Sequence, residues 1–260
     1  MKRAIRRFLP VPVLAVVTLL VAAGCRSQKT QEDSGGPKIS EIKPLEPTRP
    51  EANPVAALRE MLKLNPEEGR IELDPRGRIV EVELDRTRVT DLSPLAGLPI
   101  EKLYLRQTNV SDLSPLKDMP LKFLNLLETR VSDISVVKTL DLNTLWLNDT
   151  KVKDLSPLKG KSLESLDLTG TPVTDLSPIS GMKSLRRLNL ERCAVTDLTP
   201  LEGLQLQRIV FHPAKITKGL DVVRNMKSLV HMHSTFQDDG KWLPPDEFWK
   251  QAAAGTLPKQ

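Results

Sequence analysis

Apolar residues recur along most of this chain at a fixed interval. The phrase Val89-Thr-Asp-Leu-Ser-Pro-Leu-Ala-Gly-Leu98 is followed by Ile100-Glu-Lys-Leu-Tyr-Leu105, and related phrases return through the chain. Their leading valines lie 21 residues apart, except for one step of 22, at positions 89, 110, 131, 152, 173 and 195, and Ile216 opens a looser seventh copy. Such a repeat predicts a solenoid, in which each copy forms one turn and buries its apolar side chains against its neighbours.

Each copy contains the pattern Leu-x-x-Leu-x-Leu, as in Leu163, Leu166 and Leu168. This pattern with a period of about 20 to 29 residues is the signature of the leucine-rich repeat. A serine and a proline follow in most copies, such as Ser93 and Pro94, and a hydroxyl cap before proline predicts one short helical turn. We therefore predict an α/β leucine-rich-repeat solenoid, with a parallel sheet on the concave face and short helical turns on the convex face.

Residues 53–88 are expected to form an N-terminal cap and the first strand, because the first repeat needs a unit that shields its apolar edge. Asn53 caps a helix that Pro54 begins. The apolar face of this helix comprises Val55, Leu58, Met61 and Leu62. A hairpin follows, with strands at Arg70–Leu73 and Arg78–Leu84.

The repeats occupy residues 89–236, and residues 237–260 are expected to form a C-terminal helical cap and tail. A longer helical crossover at Thr217–Met226 leads to a last strand at Leu229–Ser234. A helix that begins at Pro244 then carries Phe248 and Trp249. These two aromatic side chains are predicted to cover the final turn of the solenoid.

The first 24 residues have the pattern of a secretory signal peptide, with a basic start before an apolar run that ends in small residues. The end of that run, Ala22-Ala-Gly-Cys25, resembles a bacterial lipobox, which implies that Cys25 is the lipid-attachment residue. Ordinary signal cleavage near Ala23 is the alternative. Residues 25–52 are rich in Ser, Gly, Pro and charge, which predicts a flexible tether.

The basic balance of the chain comes mostly from this signal. Its four basic residues account for most of the formal net charge of +5, which falls to about +1 once they are removed. Nucleic-acid binders usually show a clustered basic surface, so we expect no nucleic-acid partner. Arg26, rather than aspartate, follows Cys25, and the resemblance to lipoproteins then implies sorting to an outer membrane.

The concave face offers the best candidate binding site. Side chains that alternate with the inward leucines must point outward from each strand, and they include Tyr104, Phe123 and Trp146 on three neighbouring strands. A contiguous apolar patch usually marks an interaction site, although packing between strand neighbours is the alternative. The predicted binding residues are Tyr104, Phe123, Trp146, Arg106, Leu127, Asn125 and Asn148.

Metal and catalytic sites are weaker candidates. His212, His231 and His233 lie near the last two strands and are expected to share the concave side, where three imidazoles could bind Zn²⁺. One aspartate also recurs in each repeat, but each has its own serine or threonine and backbone amides to accept from, which favours capping over calcium. No nucleophile–histidine arrangement has a recognisable context, and we expect neither a catalytic residue nor a cofactor.

The repeat phrase Asp-Leu-Ser-Pro-Leu resembles the leucine-rich repeats of internalin-like bacterial surface proteins. The stretch Ile216-Thr-Lys-Gly-Leu-Asp-Val-Val-Arg-Asn-Met-Lys-Ser-Leu229, with Phe248-Trp-Lys250, is similar to the repeat tails of some bacterial serine/threonine kinases and to free-standing lipoproteins of that type. The resemblance covers residues 78–249. The kinase motifs are absent from this sequence, so the resemblance implies a protein-binding surface rather than phosphoryl transfer.

These observations together predict a bacterial leucine-rich-repeat lipoprotein of the cell envelope. We expect a monomer that is anchored through Cys25, faces the periplasm or cell surface, and binds a protein or peptide on its concave face without catalysis. One alternative is a structural envelope protein that uses the repeats as a spacer. Another is a metal-dependent enzyme at His212, His231 and His233.

Overall fold

A computed structural model describes residues 53–235 and 242–258 of the chain. The predicted signal peptide at 1–24, Cys25 and the tether at 25–52 lie outside the described residues. No helix within the described part is long and apolar enough to cross a membrane. The elements in chain order are α1 (Pro54–Met61), β1 (Arg70–Leu73), β2 (Ile79–Glu83), β3 (Lys102–Tyr104), β4 (Phe123–Asn125), β5 (Thr144–Trp146), β6 (Ser165–Asp167), β7 (Arg187–Asn189), β8 (Arg208–Val210), α2 (Leu220–Arg224), β9 (His231–His233) and α3 (Pro245–Ala254).

The strands form one sheet in the order of the chain, which confirms the predicted solenoid. Strands β2 to β9 are parallel, and β1 pairs with β2 in the antiparallel sense. The register follows the repeat, so that Val82, Leu103 and Leu124 are consecutive partners at intervals of 21 residues. Equal repeat lengths therefore stack equivalent residues directly beside one another across the sheet.

The core lies between the sheet and a row of 3₁₀ turns. The middle residue of each repeat strand is buried, as Leu103, Leu145 and Leu188 illustrate. On the opposite side the 3₁₀ turns occupy Ser93–Leu95, Ser114–Leu116, Ser135–Thr139, Ser156–Leu158, Ser177–Ile179, Thr199–Leu201 and Pro213–Lys215. The last residue of the regular Ser-Pro-Leu turns, such as Leu95 or Leu158, is fully buried, so sheet and turns share one apolar layer.

The cap of these turns differs from the prediction. The serine does not act as the hydroxyl cap; its backbone N–H instead donates to an aspartate two residues earlier, as Ser156 does to Asp154 Oδ1 at 2.8 Å. A short carboxylate can reach the backbone two residues further on, which forms a local turn. The same bond, at 2.7–2.8 Å, is made by Asp91, Asp112, Asp133, Asp154, Asp175 and Asp197. These six residues are called the aspartate ladder below.

A row of buried threonines forms hydrogen bonds just after the C-terminal ends of strands β2 to β6. Thr108 Oγ1 donates to Leu105 O at 2.7 Å, which satisfies a carbonyl group at the strand exit. Equivalent bonds of 2.6–2.8 Å are made by Thr87, Thr129, Thr150 and Thr171. The predicted role of these threonines in bonding turn backbone is therefore confirmed, and the buried Cys193 takes the same place in the next repeat.

The N-terminal cap follows the predicted helix and hairpin, with one exception in its apolar face. Asn53 Oδ1 accepts a hydrogen bond from Val55 N at 3.0 Å and begins α1. Leu58 and Leu62 are buried, but Met61 is 56% exposed, so its assignment to the buried face is wrong. Met61 is one residue before Leu62 and therefore points about 100° away from it around the helix axis.

The C-terminal cap covers the last turn. Phe248 on α3 is fully buried, and its ring centroid lies 5.8 Å from that of Phe211. Trp249 is half-buried and lies 6.2 Å from Phe211. The crossover helix α2 and the last strand β9 are both shorter than the sequence pattern predicts.

Candidate binding groove on the concave face

The concave face carries two parallel rows of side chains, because the first and third residues of each repeat strand point away from the core. Residues of one row are partners across the sheet. The first row reads Glu81, Lys102, Phe123, Thr144, Ser165, Arg187, Arg208 and His231. The second row reads Glu83, Tyr104, Asn125, Trp146, Asp167, Asn189, Val210 and His233.

Tyr104, Phe123 and Trp146 form a contiguous aromatic cluster in the N-terminal half of these rows. The ring centroids of Tyr104 and Phe123 are 4.7 Å apart, and those of Phe123 and Trp146 are 5.1 Å apart with nearly perpendicular planes. All three residues are half-buried, so each ring keeps an accessible surface. The structure thus brings the three predicted aromatic residues together, while their role in ligand binding stays a prediction.

Three further predicted residues, Arg106, Leu127 and Asn148, lie just beyond the strand ends and are half-buried. Arg106 N donates to Asp85 Oδ1 at 2.8 Å, which fixes the backbone of its repeat. Two buried atoms, Arg106 Nε and Asn148 Oδ1, have no hydrogen-bond partner among the described residues. Both atoms are shielded from solvent, whereas the rest of each side chain is partly exposed beside the aromatic cluster.

Asn125 does not fit its predicted role as an open contact residue. It lies on the concave side of β4, but only 5% of its surface is exposed. Its neighbours in the register are Tyr104 and Trp146, and their rings both pack against Phe123 on the same strand as Asn125. Asn125 Oδ1 accepts a hydrogen bond from Leu127 N at 3.0 Å, so its side chain stabilises the strand exit.

A groove of about 540 Å³ extends from the aromatic cluster towards the C-terminal end of the sheet. Phe123 and Trp146 line one end, and Trp242 lines the other. The remaining lining residues are Leu127, Thr144, Asn148, Ser165, Leu166, Asp167, Arg187, Leu188, Asn189, Arg208 and Val210. Sequence reasoning missed Arg208 and Trp242. Continuing the strand alignment to β8 would have placed Arg208, whereas Trp242 follows the repeats and has no periodic signal.

Trp242 stands beside the last two strands. Its ring centroid lies 5.6 Å from Arg208 Cζ, which is a cation–π contact. The imidazoles of His231 and His233 lie 6.3 and 6.4 Å from the same ring. The C-terminal segment therefore adds one aromatic wall to a groove that is otherwise built by the repeats.

Asp167 is the one carboxylate that lines the groove among the described residues. Burial raises the pKa of this carboxyl, against the opposing effect of hydrogen bonds from Thr169 and Asn189. Asp167 Oδ1 accepts from Thr169 N at 2.9 Å and from its hydroxyl at 2.6 Å, and Oδ2 accepts from Asn189 Nδ2 at 3.2 Å. These bonds turn the carboxylate towards the protein rather than towards the open groove.

The histidines are not arranged as a metal site in the described part of the chain, where no group of three or more His, Cys, Asp or Glu could hold an ion. His212 Nδ1 accepts from Ala214 N at 3.3 Å. His233 is buried, and its Nδ1 accepts from Thr235 N at 3.0 Å. One ring nitrogen of His212 and one of His233 thus accept hydrogen bonds from the backbone. The aspartates of the ladder are likewise engaged in local turns.

Comparison with known proteins supports a leucine-rich-repeat protein. Residues 161–203 match the family model described as leucine-rich repeats in two copies. The crystal structure of an internalin (inlF) from Listeria monocytogenes is similar, with 22% identity and a TM-score of 0.53 over 70% of this chain and 55% of that one. An internalin C2 (inlC2) from the same organism shares 25% identity, with a TM-score of 0.50 over 60% of this chain and 70% of that one.

The chain thus spans about half the length of the first internalin. No curated protein matches it. Leucine-rich-repeat domains are typically protein-interaction modules, and this supports a non-catalytic binding role.

Proposed function

We propose that this protein is a lipid-anchored, extracytoplasmic leucine-rich-repeat module that binds a protein or peptide on its concave face without catalysis. One observation carries the binding role: Tyr104, Phe123 and Trp146 pack together, partly exposed, at the end of a groove of about 540 Å³. Aromatic residues of this kind commonly dominate the free energy of protein association.

The position of the cluster is hard to explain by folding alone. The core of the repeats is built mainly from leucine, valine and isoleucine, and the cluster lies on the other side of the sheet. Packing between the rings shields only part of each of them, which leaves apolar surface in contact with water. A ligand that covered this surface would recover its hydrophobic free energy, at about 25 cal/mol per Å².

The groove is suited to an extended segment. Strands in a sheet lie about 4.8 Å apart, so the groove from β4 to β8 spans roughly 19 Å, enough for about six extended residues, and the eight parallel strands span roughly 34 Å. The half-buried Arg106 and Asn148 add polar side-chain surface at the rim of the aromatic cluster. These polar groups would orient a bound segment, whereas the aromatic cluster would supply most of its affinity.

The anchor is proposed from the sequence. Cys25 ends the lipobox-like stretch, and two or three acyl chains would hold the protein stably on a membrane. Residues 25–52 would then tether the repeats, and Arg26 favours an outer membrane, with the groove facing the periplasm or the cell surface. The tether composition gives the groove freedom to meet a partner at some distance from the lipid.

Both parts of the proposal are tested in one experiment on the full chain in a bacterial envelope. A photo-crosslinking residue replaces Thr144, beside Phe123 on the concave face, or Lys159, which is exposed on the convex face. We expect adducts with a protein or peptide from position 144 and few from 159. The chain should sediment with membranes, and Cys25→Ser should release it or leave it unprocessed.

Two results would contradict the proposal separately. Equal adducts from positions 144 and 159 would remove the concave face as the binding surface. Normal processing and membrane partition of Cys25→Ser would remove the lipid anchor but leave the binding role intact.

A further inference from the structure

We propose that the groove selects an acidic, extended peptide, with an apolar side chain against Phe123 and Trp146 and a carboxylate between Arg187 and Arg208. This inference rests on the proposed function and specifies the class of its ligand. Its basis is the arrangement of charge along the concave face.

Arg187 and Arg208 are direct partners across β7 and β8, so two positive side chains stand side by side in the first row. Like charges in this relation are destabilising. Both residues are exposed, and within the described part of the chain neither has a carboxylate oxygen within 4.0 Å. Among the described residues, this pair of guanidinium groups at the edge of the groove is therefore uncompensated.

Two other charged pairs between repeats are compensated. Lys102 Nζ lies 2.8 Å from Glu81 Oε2 on the neighbouring strand of the same row. Arg192 likewise lies 2.9 Å from Asp149. The arginine pair on β7 and β8 differs from these two pairs, because like charges face each other along the groove.

The arginine pair is also partly held in position. Arg208 stacks on Trp242 at 5.6 Å, which leaves the edge of the guanidinium group for a hydrogen-bonding partner. Guanidinium groups bind carboxylates through two parallel N–H···O bonds, and the planar fork loses less conformational freedom than a lysine would. An acidic side chain between Arg187 and Arg208 would satisfy both groups and remove their repulsion.

The groove carries a net positive charge, because only one carboxylate lines it among the described residues. Asp167 directs its oxygens to Thr169 and Asn189, and the two arginines exceed it by one positive charge. Among the described residues, a basic ligand segment would therefore meet two cations without a carboxylate partner and one anion that is already hydrogen-bonded. An acidic segment has the complementary charge.

The separation of the two anchor points predicts the spacing in the ligand. Trp146 lies on β5, and the arginine pair is centred between β7 and β8, about two and a half strands away. At about 4.8 Å per strand this distance is roughly 12 Å. In an extended peptide, side chains on one face recur every second residue, so an apolar residue and an acidic residue four positions apart span about 13 Å.

The test uses the full chain and synthetic peptides blocked at both ends. Each peptide carries one phenylalanine and, four positions away, glutamate, lysine or glutamine in an otherwise alanine and serine sequence. We expect the glutamate peptide to bind about tenfold more tightly than the lysine peptide, with a preference that weakens as salt rises. Moving the glutamate to two positions from the phenylalanine should abolish the preference.

Charge reversal provides the matched comparison. Arg187→Glu/Arg208→Glu should invert the preference towards the lysine peptide. Lys117→Glu/Lys159→Glu, which makes the same change in net charge on exposed residues of the convex side, should leave it unchanged. Trp146→Ala should weaken the binding of all three peptides, because the apolar anchor is common to them.

The possible failures are distinguishable. Equal affinity for the three peptides, still sensitive to Trp146→Ala, would overturn the acidic ligand and keep the concave binding role. Absence of binding by every peptide would count against both. Binding of an anionic polysaccharide such as hyaluronate, as tight as the glutamate peptide and equally sensitive to Arg187→Glu/Arg208→Glu, would overturn the peptide assignment.

Discussion

At the residue scale, single side chains at the ends of each strand decide how the repeats turn. The aspartate ladder holds the start of six 3₁₀ turns through the backbone two residues later, and the buried threonines hold the strand exits. In the ladder, hydrogen bonds from the serine or threonine two residues later lower the pKa of Asp91, Asp112, Asp154 and Asp197. The ionised carboxylate is therefore favoured by the fold.

This lowered pKa predicts how stability depends on pH. A carboxyl whose pKa is lower in the folded chain stabilises it above the unfolded value of about 3.9, and that contribution is lost as pH falls through the folded pKa. Replacing all four of these aspartates by asparagine should reduce stability at pH 7 and flatten the acid limb below about pH 4. Chemical denaturation midpoints between pH 7 and pH 2 would measure this difference.

The comparison between wild type and variant isolates the ladder. Burial raises the pKa of Asp85 and Asp167, so their ionisation disfavours the fold and acts with the opposite sign, but equally in both proteins. Parallel curves for the two proteins down to pH 2 would show that the ladder carboxylates do not contribute.

The residues of the concave face show which features of single side chains can be predicted from the sequence. Strand alternation was sufficient to place Tyr104, Phe123 and Trp146 on one face, because every second side chain points the same way. It could not predict that Asn125, between two of these rings in the register, is covered. The burial of Asn125 depends on the rotamers of side chains on neighbouring strands, and the repeat period does not specify those rotamers.

At the element scale, the positions of the repeat strands follow the repeat period, whereas those of the terminal caps do not. Residues from β3 to β8 could be located because equal spacing forces equal register. Outside the repeats, α2 and β9 are shorter than predicted, and Trp242 reaches the groove from a segment without periodicity. Each capping unit fits one particular end of the solenoid and occurs once, so no second copy in the chain helps to predict its structure.

The cap formed by α3 is expected to stabilise the whole solenoid. Phe248 is fully buried against Phe211, so Phe248→Ala should leave a cavity and cost about 3–5 kcal/mol of unfolding free energy. Lys250→Ala, at an exposed position on the same helix, is the matched control and should cost little. Urea denaturation of the two variants would decide this, and equal midpoints would mean that Phe248 caps nothing.

At the scale of the whole molecule, the concave face changes character along the solenoid. Acidic residues Glu81 and Glu83 lie on β2, the aromatic cluster lies on β3 to β5, and Arg187 and Arg208 lie on β7 and β8. The stacked repeats hold these regions at fixed spacing, which suits recognition of one extended chain. The sequence predicted the solenoid and the aromatic region, whereas the groove as a continuous surface required Trp242 and the register at β8.

The central claim is that the aromatic cluster serves binding rather than folding, and two adjacent residues of β5 and its exit separate the two roles. Trp146 is half-buried on the concave face, and Leu147 is fully buried in the core. The measurement is the Kd of each variant for the protein crosslinked through position 144, together with its unfolding free energy. We predict that Trp146→Ala weakens binding by about 30-fold, or roughly 2 kcal/mol, with a small change in stability. Leu147→Ala should cost about 2–5 kcal/mol of stability while folded protein binds normally. An unchanged Kd for Trp146→Ala, with a stability loss equal to that of Leu147→Ala, would contradict the account.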